Sequence, residues 1–518
     1  MPEYLKALIV ILALASIVFA FAKTPACASA STSKDFGRRR NLWFAITLTV
    51  FLAHNFWLFI VFATIFLGFM SSREPNRLAM FFLILFAVPP IAVDIGGFSG
   101  IRTFFPLDYI RLLALVVLFP AFLSLSGQPD TERFGRSLPD KFLAGYLIFA
   151  CLLTLSASTV TNTMRGAFLF FIDIFLPYYV ASRSLKNLQG FRDALMAFAV
   201  AALVLSAIAV FEFARHWLLY SSLRDALNIQ WGYGNYLERD SGGNLRAIGS
   251  TGHPIVTGYV LTVALGFFLY LRKSAPNFAV WALGLLLLTA GLICAQSRGP
   301  WFGAAAMLLA FIATSRSAAI NLAKLGLLAL LITPVLLLTP AGEAIISRLP
   351  LIGTYTDDTI IYRQRLLEIA SGVILDNPFF GASNVMLRPE MQDLRQGEGI
   401  IDLVNTYIGI GLSYGLVGLS LFCGCFIAVA SGIFKSMRSL ADRNDELYLL
   451  GQALLAVLLG IMITIFTVSS ITFIPVVYWA TAGLGVAYVR VLARSKDPEK
   501  TPETTAPARF NRAVIKYR

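Results

Sequence analysis

The chain has 518 residues, of which 57% are hydrophobic and 14% are charged, and its mean hydropathy is +0.74. A soluble protein of this size could not bury so much apolar surface, whereas a polytopic membrane protein leaves it in lipid. The net charge of +13 comes from basic residues in short segments between apolar stretches, which is not the pattern of a nucleic-acid-binding protein. The five cysteines show neither disulfide nor zinc spacing.

The first apolar segment, Leu5–Ala22, is followed by Ala28-Ser29-Ala30, which resembles a signal-peptide cleavage site. The preceding residues carry Lys6 but also Glu3, so the basic region of a signal peptide is weak. A retained first span and a cleaved signal therefore both stay open. The run Arg38-Arg39-Arg40 then indicates a cytoplasmic edge.

The rest of the chain contains a series of apolar segments near the roughly 20 residues that a helix needs to cross the hydrocarbon core. We expect Leu42–Met70 to form one tilted span or two short ones broken near His54-Asn55. The pattern predicts an all-α polytopic membrane protein with roughly 12–15 transmembrane helices. The other candidate spans are Leu78–Ile95, Tyr109–Leu125, Phe142–Thr159, Ala167–Ala181, Phe191–Ala214, Pro254–Leu271, Phe278–Ala295, Trp301–Thr314, Leu322–Leu338, Tyr407–Phe434, Leu447–Val468 and Ile471–Val489.

Basic residues fall in alternate loops, and the positive-inside rule places those loops in the cytoplasm. The intervening loops are then predicted on the external side, and that side receives both long loops. The predicted external loops are Gly96–Leu107, Thr161–Gly166, Arg215–His253, Ser297–Pro300, Ala341–Asn405 and Ser469–Ser470.

The longest external segment is polar and opposite in charge to the chain as a whole. Residues Ala341–Asp402 contain nine acids and five arginines, a net charge of −4. Structureless loops this long are usually functional or disordered, and we expect this one to close over a site made by helix ends. Within it, Tyr362–Leu375 has apolar residues at helical spacing and predicts an amphipathic helix lying on the membrane.

The predicted organisation thus has four parts. Residues 1–340 form N-terminal transmembrane helices, 341–405 the long periplasmic loop, and 406–490 C-terminal transmembrane helices. Residues 491–518, with prolines and threonines after Lys496, are predicted to be a disordered cytoplasmic tail.

Three external points could carry chemistry. At the first, Arg246 precedes Gly249-Ser-Thr-Gly252-His253-Pro254, where a helix begins and its free N–H groups favour an anion. At the second, Arg298 lies in a break between two apolar helices, at the C-terminus of the first. At the third, residues Asp402 to Tyr407 return the long loop to the membrane.

Each point also has a structural interpretation. An arginine at the end of a span can extend to the interface or pair with helix carbonyls, although an arginine on the external side runs against the positive-inside rule. His253 before a proline is more typical of a helix cap than of a base. Most acids of the long loop are expected to form a solvated surface.

The order of four motifs resembles the O-antigen ligase and polymerase superfamily, which includes exopolysaccharide polymerases. They cover about Arg246 to Gly418, and the rest of the chain is similar only in its pattern of spans. The motifs are Arg246-Ala-Ile-Gly-Ser-Thr-Gly-His-Pro254, Ser297-Arg-Gly-Pro-Trp301, Tyr362-Arg-Gln-Arg365 with Asp376-Asn-Pro-Phe-Phe-Gly381, and Asn405-Thr-Tyr407 with Tyr414-Gly-Leu-Val-Gly418.

The resemblance implies glycosyl transfer from undecaprenyl diphosphate at the periplasmic face of the bacterial inner membrane, with Arg246 and Arg298 as diphosphate contacts. This agrees with the interpretation of the two arginines as part of an anion-binding site, since guanidinium groups bind phosphate oxygens through paired hydrogen bonds. Lipid diphosphate is a good leaving group, so no nucleotide, metal or other cofactor is expected. Flippase and chain-length-regulator proteins are the expected partners, besides membrane lipids and the lipid-linked oligosaccharide.

One departure from the ligase pattern favours a polymerase. O-antigen ligases carry His-Asn where the long loop returns, and this chain has Val404 before Asn405. The acceptor hydroxyl then needs another base, and Asp402 and Glu398 are the candidates because they stand just upstream. Further substrate contacts are predicted at His253, Arg363, Arg365, Asn405 and Tyr407.

The prediction is therefore an inner-membrane polysaccharide polymerase that transfers a lipid-linked glycan onto another lipid-linked repeat unit. A ligase that delivers finished glycan to lipid A–core or protein is the first alternative. A transporter of lipid-linked glycan is an alternative of another class, but transporters usually place charge at mid-membrane on broken helices.

Overall fold

The computed structural model describes residues 1–97, 103–229, 245–337, 357–382, 384–395 and 401–496. In these ranges the chain is almost entirely helical, which confirms the predicted all-α polytopic membrane fold. The one sheet of this part is a two-stranded antiparallel hairpin of β1 (Val93–Gly96) and β2 (Thr103–Leu107).

The described ranges contain eighteen α-helices, when Tyr109–Ser126 and Val160–Ser184, which each include a π-helical turn, and Thr406–Arg438, which is interrupted at Gly415, are each counted as one. They are α1 Glu3–Ser29, α2 Ser33–Leu52, α3 Phe56–Ser71, α4 Arg77–Ile84, α5 Tyr109–Ser126, α6 Leu138–Ala157, α7 Val160–Ser184, α8 Leu188–Arg215, α9 Leu223–Leu227, α10 Pro254–Tyr270, α11 Phe278–Cys294, α12 Arg298–Ala313, α13 Ala318–Leu337, α14 Asp357–Asp376, α15 Pro389–Gln392, α16 Thr406–Arg438, α17 Glu446–Ile465 and α18 Phe473–Lys496.

Nine helices in the described ranges are long and apolar enough to cross a membrane, and four shorter apolar ones accompany them. The predicted number of roughly 12–15 spans is reached only when the shorter helices are counted as well. The centre of the bundle is formed by α8, α10, α17 and α18, which are largely buried. Only 22% of the most apolar stretch of α6 is buried, so α6 lies at the rim of the bundle.

The segment predicted as one tilted or two short spans forms two helices, α2 and α3, because Asn55 caps the second. Its side chain accepts hydrogen bonds from the N–H groups of Trp57 and Leu58, at 2.8 and 3.3 Å. This satisfies donors that the first turn of a helix cannot pair internally. The same device, an Asn, Ser, Thr or Asp at the N-cap, begins several of the other helices.

Two of the spanning helices contain a wide π-helical turn. In α5 this turn covers Ala114–Leu118 and precedes Pro120, and in α7 it covers Phe171–Phe175 and precedes Pro177. A proline cannot donate the usual helical hydrogen bond, and the extra residue of a π turn absorbs the mismatch without breaking the helix.

Glycines allow the central helices to approach closely. Gly303 of α12 lies against Thr464 and Gly460 of α17, and a Cβ atom at Gly303 would overlap the Thr464 hydroxyl. Gly258 of α10 faces Pro300 of α12 in the same way, with a built Cβ only 2.9 Å from the proline ring. Small residues at helix contacts of this kind are typical of membrane proteins.

A buried ion pair joins α6 to α7 at the end where α6 begins. The Arg183 guanidinium lies 2.7 Å from the Asp140 carboxylate, and both side chains are fully buried. The Tyr178 hydroxyl donates a second hydrogen bond to Asp140, at 2.8 Å. Because neither charge reaches water, each depends on the other for its stabilisation.

The predicted span Leu78–Ile95 is wrong. The helix α4 has only eight residues and ends at Ile84, after which Pro89-Pro90 and β1 follow. Residues 78–88 are all buried, so their apolar character reflects burial in protein and not contact with lipid.

Several other boundaries also differ from the predictions. The expected loop Thr161–Gly166 is the first part of α7, and residues 491–496 of the expected disordered tail belong to α18. Residues 497–518 lie outside the described ranges, as does the chain between 338 and 356, so the rest of the predicted tail and the start of the long loop stay predictions.

The amphipathic helix of the long loop is present as α14, but one apolar face of it packs against other residues of the loop. Leu366, Ala370 and Val373 are buried, as predicted for one face of a helix. They pack against Val385, Met391, Leu394 and Leu412, so the loop has a small core of its own.

The Asp140–Arg183 pair generates a stability prediction. Replacing Asp140 by Ala should lower the free energy of unfolding by about 3–5 kcal/mol, because Arg183 would keep its charge without a partner. Thermal unfolding of the purified protein in detergent measures the change. The exposed acid Asp225, changed to Asn, is the control and should alter stability by less than about 0.5 kcal/mol. Equal midpoints for both variants would contradict the assigned role.

Candidate functional site

The first part of the site is the start of α10. His253 is the N-cap, and its Nδ1 accepts the N–H of Ile255 at 3.2 Å. Burial, first of all, and the positive charge of Arg246 lower the pKa of His253 to about 4, although Asp402 opposes the shift. His253 is therefore neutral near pH 7, and with Nδ1 accepting, Nε2 carries the proton. The imidazole can donate a hydrogen bond from Nε2 but is not available as a base.

The segment that carries Arg246 is held by a buried glutamate. Glu212, near the end of α8, accepts the N–H groups of Ile248 and Gly249 at 3.0 and 2.8 Å, and that of Leu219 at 3.0 Å. Gly249 has a φ of 54°, which a residue with a side chain rarely adopts. These contacts define the backbone from which the buried Arg246 extends.

Arg298 begins α12, which corrects the expectation that it lies at the C-terminus of the preceding helix. Helix α11 ends at Cys294, and Gln296 with a φ of 44° and the N-cap Ser297 form the turn between the two helices. The positive end of the α12 dipole therefore adds to the charge of Arg298. The Ala247 N–H donates to the Cys294 carbonyl at 3.1 Å, which ties the Arg246 segment to this turn.

The returning segment contributes Asp402, whose side chain is exposed. Its Oδ1 accepts the Ser469 hydroxyl at 2.8 Å and the Val404 N–H at 3.1 Å, so the carboxylate is held in one orientation. Its backbone carbonyl accepts the hydroxyl of Tyr362 from α14 at 2.8 Å.

Arg363 of α14 reaches the same place. Its guanidinium donates to the Thr467 carbonyl at 3.3 Å. Crowding by the surrounding protein, first of all, and the charge of Arg298 lower the pKa of Arg363, while Asp402 raises it. Arg363 thus interacts electrostatically with both Arg298 and Asp402.

These contacts assemble one site at the end of the bundle where α10, α12 and α16 begin. We call this end the upper end. Arg246 and Asp402 both act on His253, and Asp402 and Arg298 both act on Arg363. The start of α12 meets the start of α16 through the segment 467–468: Gly299 packs on Thr467 and Val468, and the Thr406 N–H donates to the Val468 carbonyl at 3.0 Å. Three helix N-termini and three arginines suit an anion.

Not every predicted residue joins this site. Asn405 is buried and caps α16, accepting the N–H groups of Tyr407 and Ile408 at 2.9 and 3.2 Å. The Tyr407 hydroxyl donates to the Met462 carbonyl at 2.9 Å, and its ring packs on Phe422. Arg365 is exposed, and no contact among the described residues connects it to the cluster. Glu398 lies outside the described residues.

The functional importance of Glu212, Thr467 and Ser469 was not predicted from the sequence. Glu212 lies near the end of a predicted span, where a polar residue is unremarkable. The signal that could have identified it is an acid within a 28-residue apolar helix. Thr467 and Ser469 carry no distinguishing pattern. Among the described residues, no group of three or more His, Cys, Asp or Glu side chains is placed to hold a metal ion.

The fold and this site define a multi-pass membrane protein that gathers cationic side chains at one end of its helices. Residues 283–423 match the family model described as O-antigen ligase. The match covers residues 283–423 only, and this part of the chain is similar to O-antigen ligases, a family of glycosyltransferase-like enzymes. The matched range runs from α11 into α16 and includes Arg298, Arg363 and Asp402. No curated protein matches the chain.

The buried Glu212 generates the first prediction from this site. In Glu212→Gln the amide nitrogen presents hydrogens to backbone N–H groups that need an acceptor, which should cost about 1–3 kcal/mol of stability. Thermal unfolding in detergent measures this loss, and Glu368→Gln, on the exposed face of α14, is the matched control. A variant as stable as the wild type would show that Glu212 does not hold this backbone.

A second prediction concerns pH. Because the pKa of His253 is lowered to about 4 in the folded protein, the unfolded chain binds an extra proton as the pH falls below the ordinary histidine value near 6.5. Stability contributed by neutral His253 should therefore be complete above pH 6.5 and decrease between pH 6.5 and 4. His253→Asn keeps an N-cap acceptor but does not titrate.

The measurement compares unfolding temperatures of the two proteins from pH 7.5 to pH 4.5. The wild type should lose more stability than His253→Asn over this interval. Parallel curves would mean that His253 titrates in the folded state as it does in water.

Proposed function

We propose that the protein transfers a glycan from a polyprenyl diphosphate donor to the end of another lipid-linked glycan, and is a polysaccharide polymerase. The single observation that carries the proposal is the grouping of Arg246, Arg298 and Arg363 around His253 and Asp402 at the upper end of the bundle. Guanidinium groups gathered beside three helix N-termini form a positively charged surface that suits a polyanionic ligand.

In the proposed reaction, an acceptor sugar hydroxyl attacks the anomeric carbon of the donor. A new carbon–oxygen bond forms, the bond from that carbon to the diphosphate breaks, and the polyprenyl diphosphate leaves with the electron pair. Arg246 and Arg298 bind its phosphate oxygens and stabilise the negative charge that develops on them. The N–H groups at the start of α10 and α12 act in the same direction.

The proton of the acceptor hydroxyl goes to Asp402 in this proposal. The Ser469 hydroxyl and the Val404 N–H orient the Asp402 carboxylate, and its side chain is exposed toward solvent. His253 is the other titratable group beside it, but its Nδ1 is occupied by the Ile255 N–H and its pKa is about 4. We assign His253 the role of a hydrogen-bond donor to the diphosphate through Nε2.

Arg363 extends the site from the diphosphate toward the acceptor. It comes from the loop helix α14 and not from the bundle, and it donates to the Thr467 carbonyl between the starts of α12 and α16. This position suits the diphosphate or glycan of the second lipid-linked molecule.

The location of the reaction follows from the charges of the loops. The helix ends opposite the site carry the basic residues that the positive-inside rule assigns to the cytoplasm, including Lys273, Lys435 and Arg438. We therefore propose that the site faces the periplasm of a bacterial inner membrane. The absence of a histidine before Asn405 favours a polymerase over a ligase.

The test combines two variants of Arg298 with the sizing of lipid-linked glycan in cells. Arg298→Ala, expressed at the wild-type level, should reduce polymer by at least about 100-fold, since charged hydrogen bonds to a developing anion contribute about 2.7–4 kcal/mol. Arg298→Lys keeps the charge but not the paired geometry and should retain partial activity. The exposed Arg365→Ala is the matched control and should leave polymer formation unchanged.

A deletion strain separates the reactions. A single repeat unit accumulating on the lipid carrier identifies a polymerase, whereas full-length polymer stranded on the carrier identifies a ligase. Polymer of normal length and amount in Arg298→Ala would overturn the proposed diphosphate site in either case.

A further inference from the structure

The helix α16 is broken by the long loop a short distance below its start. Gly415 has φ 63° and ψ −169°, which interrupts the helical backbone. At this break the segment Pro378–Ala382 lies against the helix. The Pro378 carbonyl accepts the Leu416 N–H at 2.7 Å, the Phe379 carbonyl accepts the Val417 N–H at 3.4 Å, and the Ala382 N–H donates to the Leu412 carbonyl at 2.9 Å.

Two glycines permit this close backbone approach. Gly381 has a φ of 69°, and a Cβ atom there would lie 2.6 Å from the Leu412 carbonyl oxygen. A Cβ atom at Gly415 would overlap the backbone of Phe379. The loop segment therefore fits the break in α16 only because both positions lack side chains.

The docked segment reaches the depth of the hydrocarbon core. The Phe380 ring lies 6.1 Å from the ring of Phe149. Phe149 is eight residues before the end of α6 at Ala157, which corresponds to about 12 Å along the helix axis. Since α6 has 20 residues and is about as long as the hydrocarbon core is thick, this contact lies well inside the membrane.

The hydrogen bonds of the segment suit such a depth. Broken helical backbone in a membrane persists only where its polar groups are paired with protein, because no water is present to satisfy them. At the break, the N–H groups of Leu416 and Val417 and the carbonyl of Leu412 are paired with the loop.

The exposed apolar side chains of the segment indicate that lipid contacts this surface. Phe379 and Phe380 keep 63% and 60% of their surface exposed. They continue a surface formed by Leu416 of α16 and by Ile148 and Leu152 of α6, which are exposed on helices long and apolar enough to span the membrane. An exposed aromatic pair at this depth is stable in hydrocarbon and costly in water.

We propose that Pro378–Ala382 is a re-entrant wedge, inserted into the leaflet at the upper end, and that Phe379 and Phe380 contact the acyl chains of bilayer phospholipids. The long loop is then anchored at two points: in the membrane by the wedge, and at the site by Tyr362 and Arg363. This assignment does not depend on the reaction that the site performs.

The experiment places the photoreactive residue p-benzoyl-L-phenylalanine at single positions of the full-length protein in phosphatidylcholine nanodiscs. After irradiation, mass spectrometry measures the fraction of protein carrying one phospholipid. The positions are Phe380, Leu152 as the lipid-facing reference on α6, and Glu390 as the exposed polar reference in the same loop.

Phe380 should form phospholipid adducts at a level close to Leu152 and several-fold above Glu390. Adduct formation no greater than that of Glu390 would place the wedge in water and overturn the proposal. Cross-linking of Phe380 to a second protein chain in place of phospholipid would equally overturn it, because this surface would then be a protein interface. Substitution of an exposed aromatic residue by a larger one leaves the backbone hydrogen bonds of the wedge in place.

Discussion

Arg298 and Arg363 repel each other, and the contacts of the surrounding segments hold Arg246, Arg298 and Arg363 in place at one end of the bundle. The backbone of Arg246 is held by Glu212, the side chain of Arg363 by the Thr467 carbonyl, and Arg298 by its position in the first turn of α12. Asp402 supplies the opposing charge. The helices α10, α12 and α16 all begin where the arginines lie, so the packing of the bundle determines the position of the site.

Most spans could be predicted because lipid imposes a simple rule of length and hydropathy on each helix. The rule failed at Leu78–Ile95, where apolar residues are buried in protein, and it could not reveal the break at Gly415. Both features depend on neighbours that are distant in sequence. The face of α14 was predicted correctly from its spacing, but the spacing could not distinguish burial against lipid from burial against the rest of the loop.

The residues of the site also differ in whether the sequence could predict them. Arg246 and Arg298 could be found from sequence because an arginine in a loop that the charge pattern predicts to be external runs against the usual charge distribution. Glu212 and Ser469 could not, since their importance lies in which backbone N–H or carboxylate they meet after folding. Asn405 and Tyr407 illustrate the opposite case: their types suit sugar binding, yet their polar atoms are used by a helix N-terminus and by the Met462 carbonyl.

The π turn in α7 has a consequence for the ion pair that follows it. One additional residue rotates every later side chain by about 100° around the helix axis. Arg183 lies eight residues beyond the end of that turn at Phe175, and it faces Asp140 of α6. In a regular helix of the same sequence, the Arg183 side chain would be rotated by about a quarter turn around the axis of α7 and would face a different neighbour. A local irregularity at Phe171–Phe175 thereby selects the electrostatic partner of a residue two turns away.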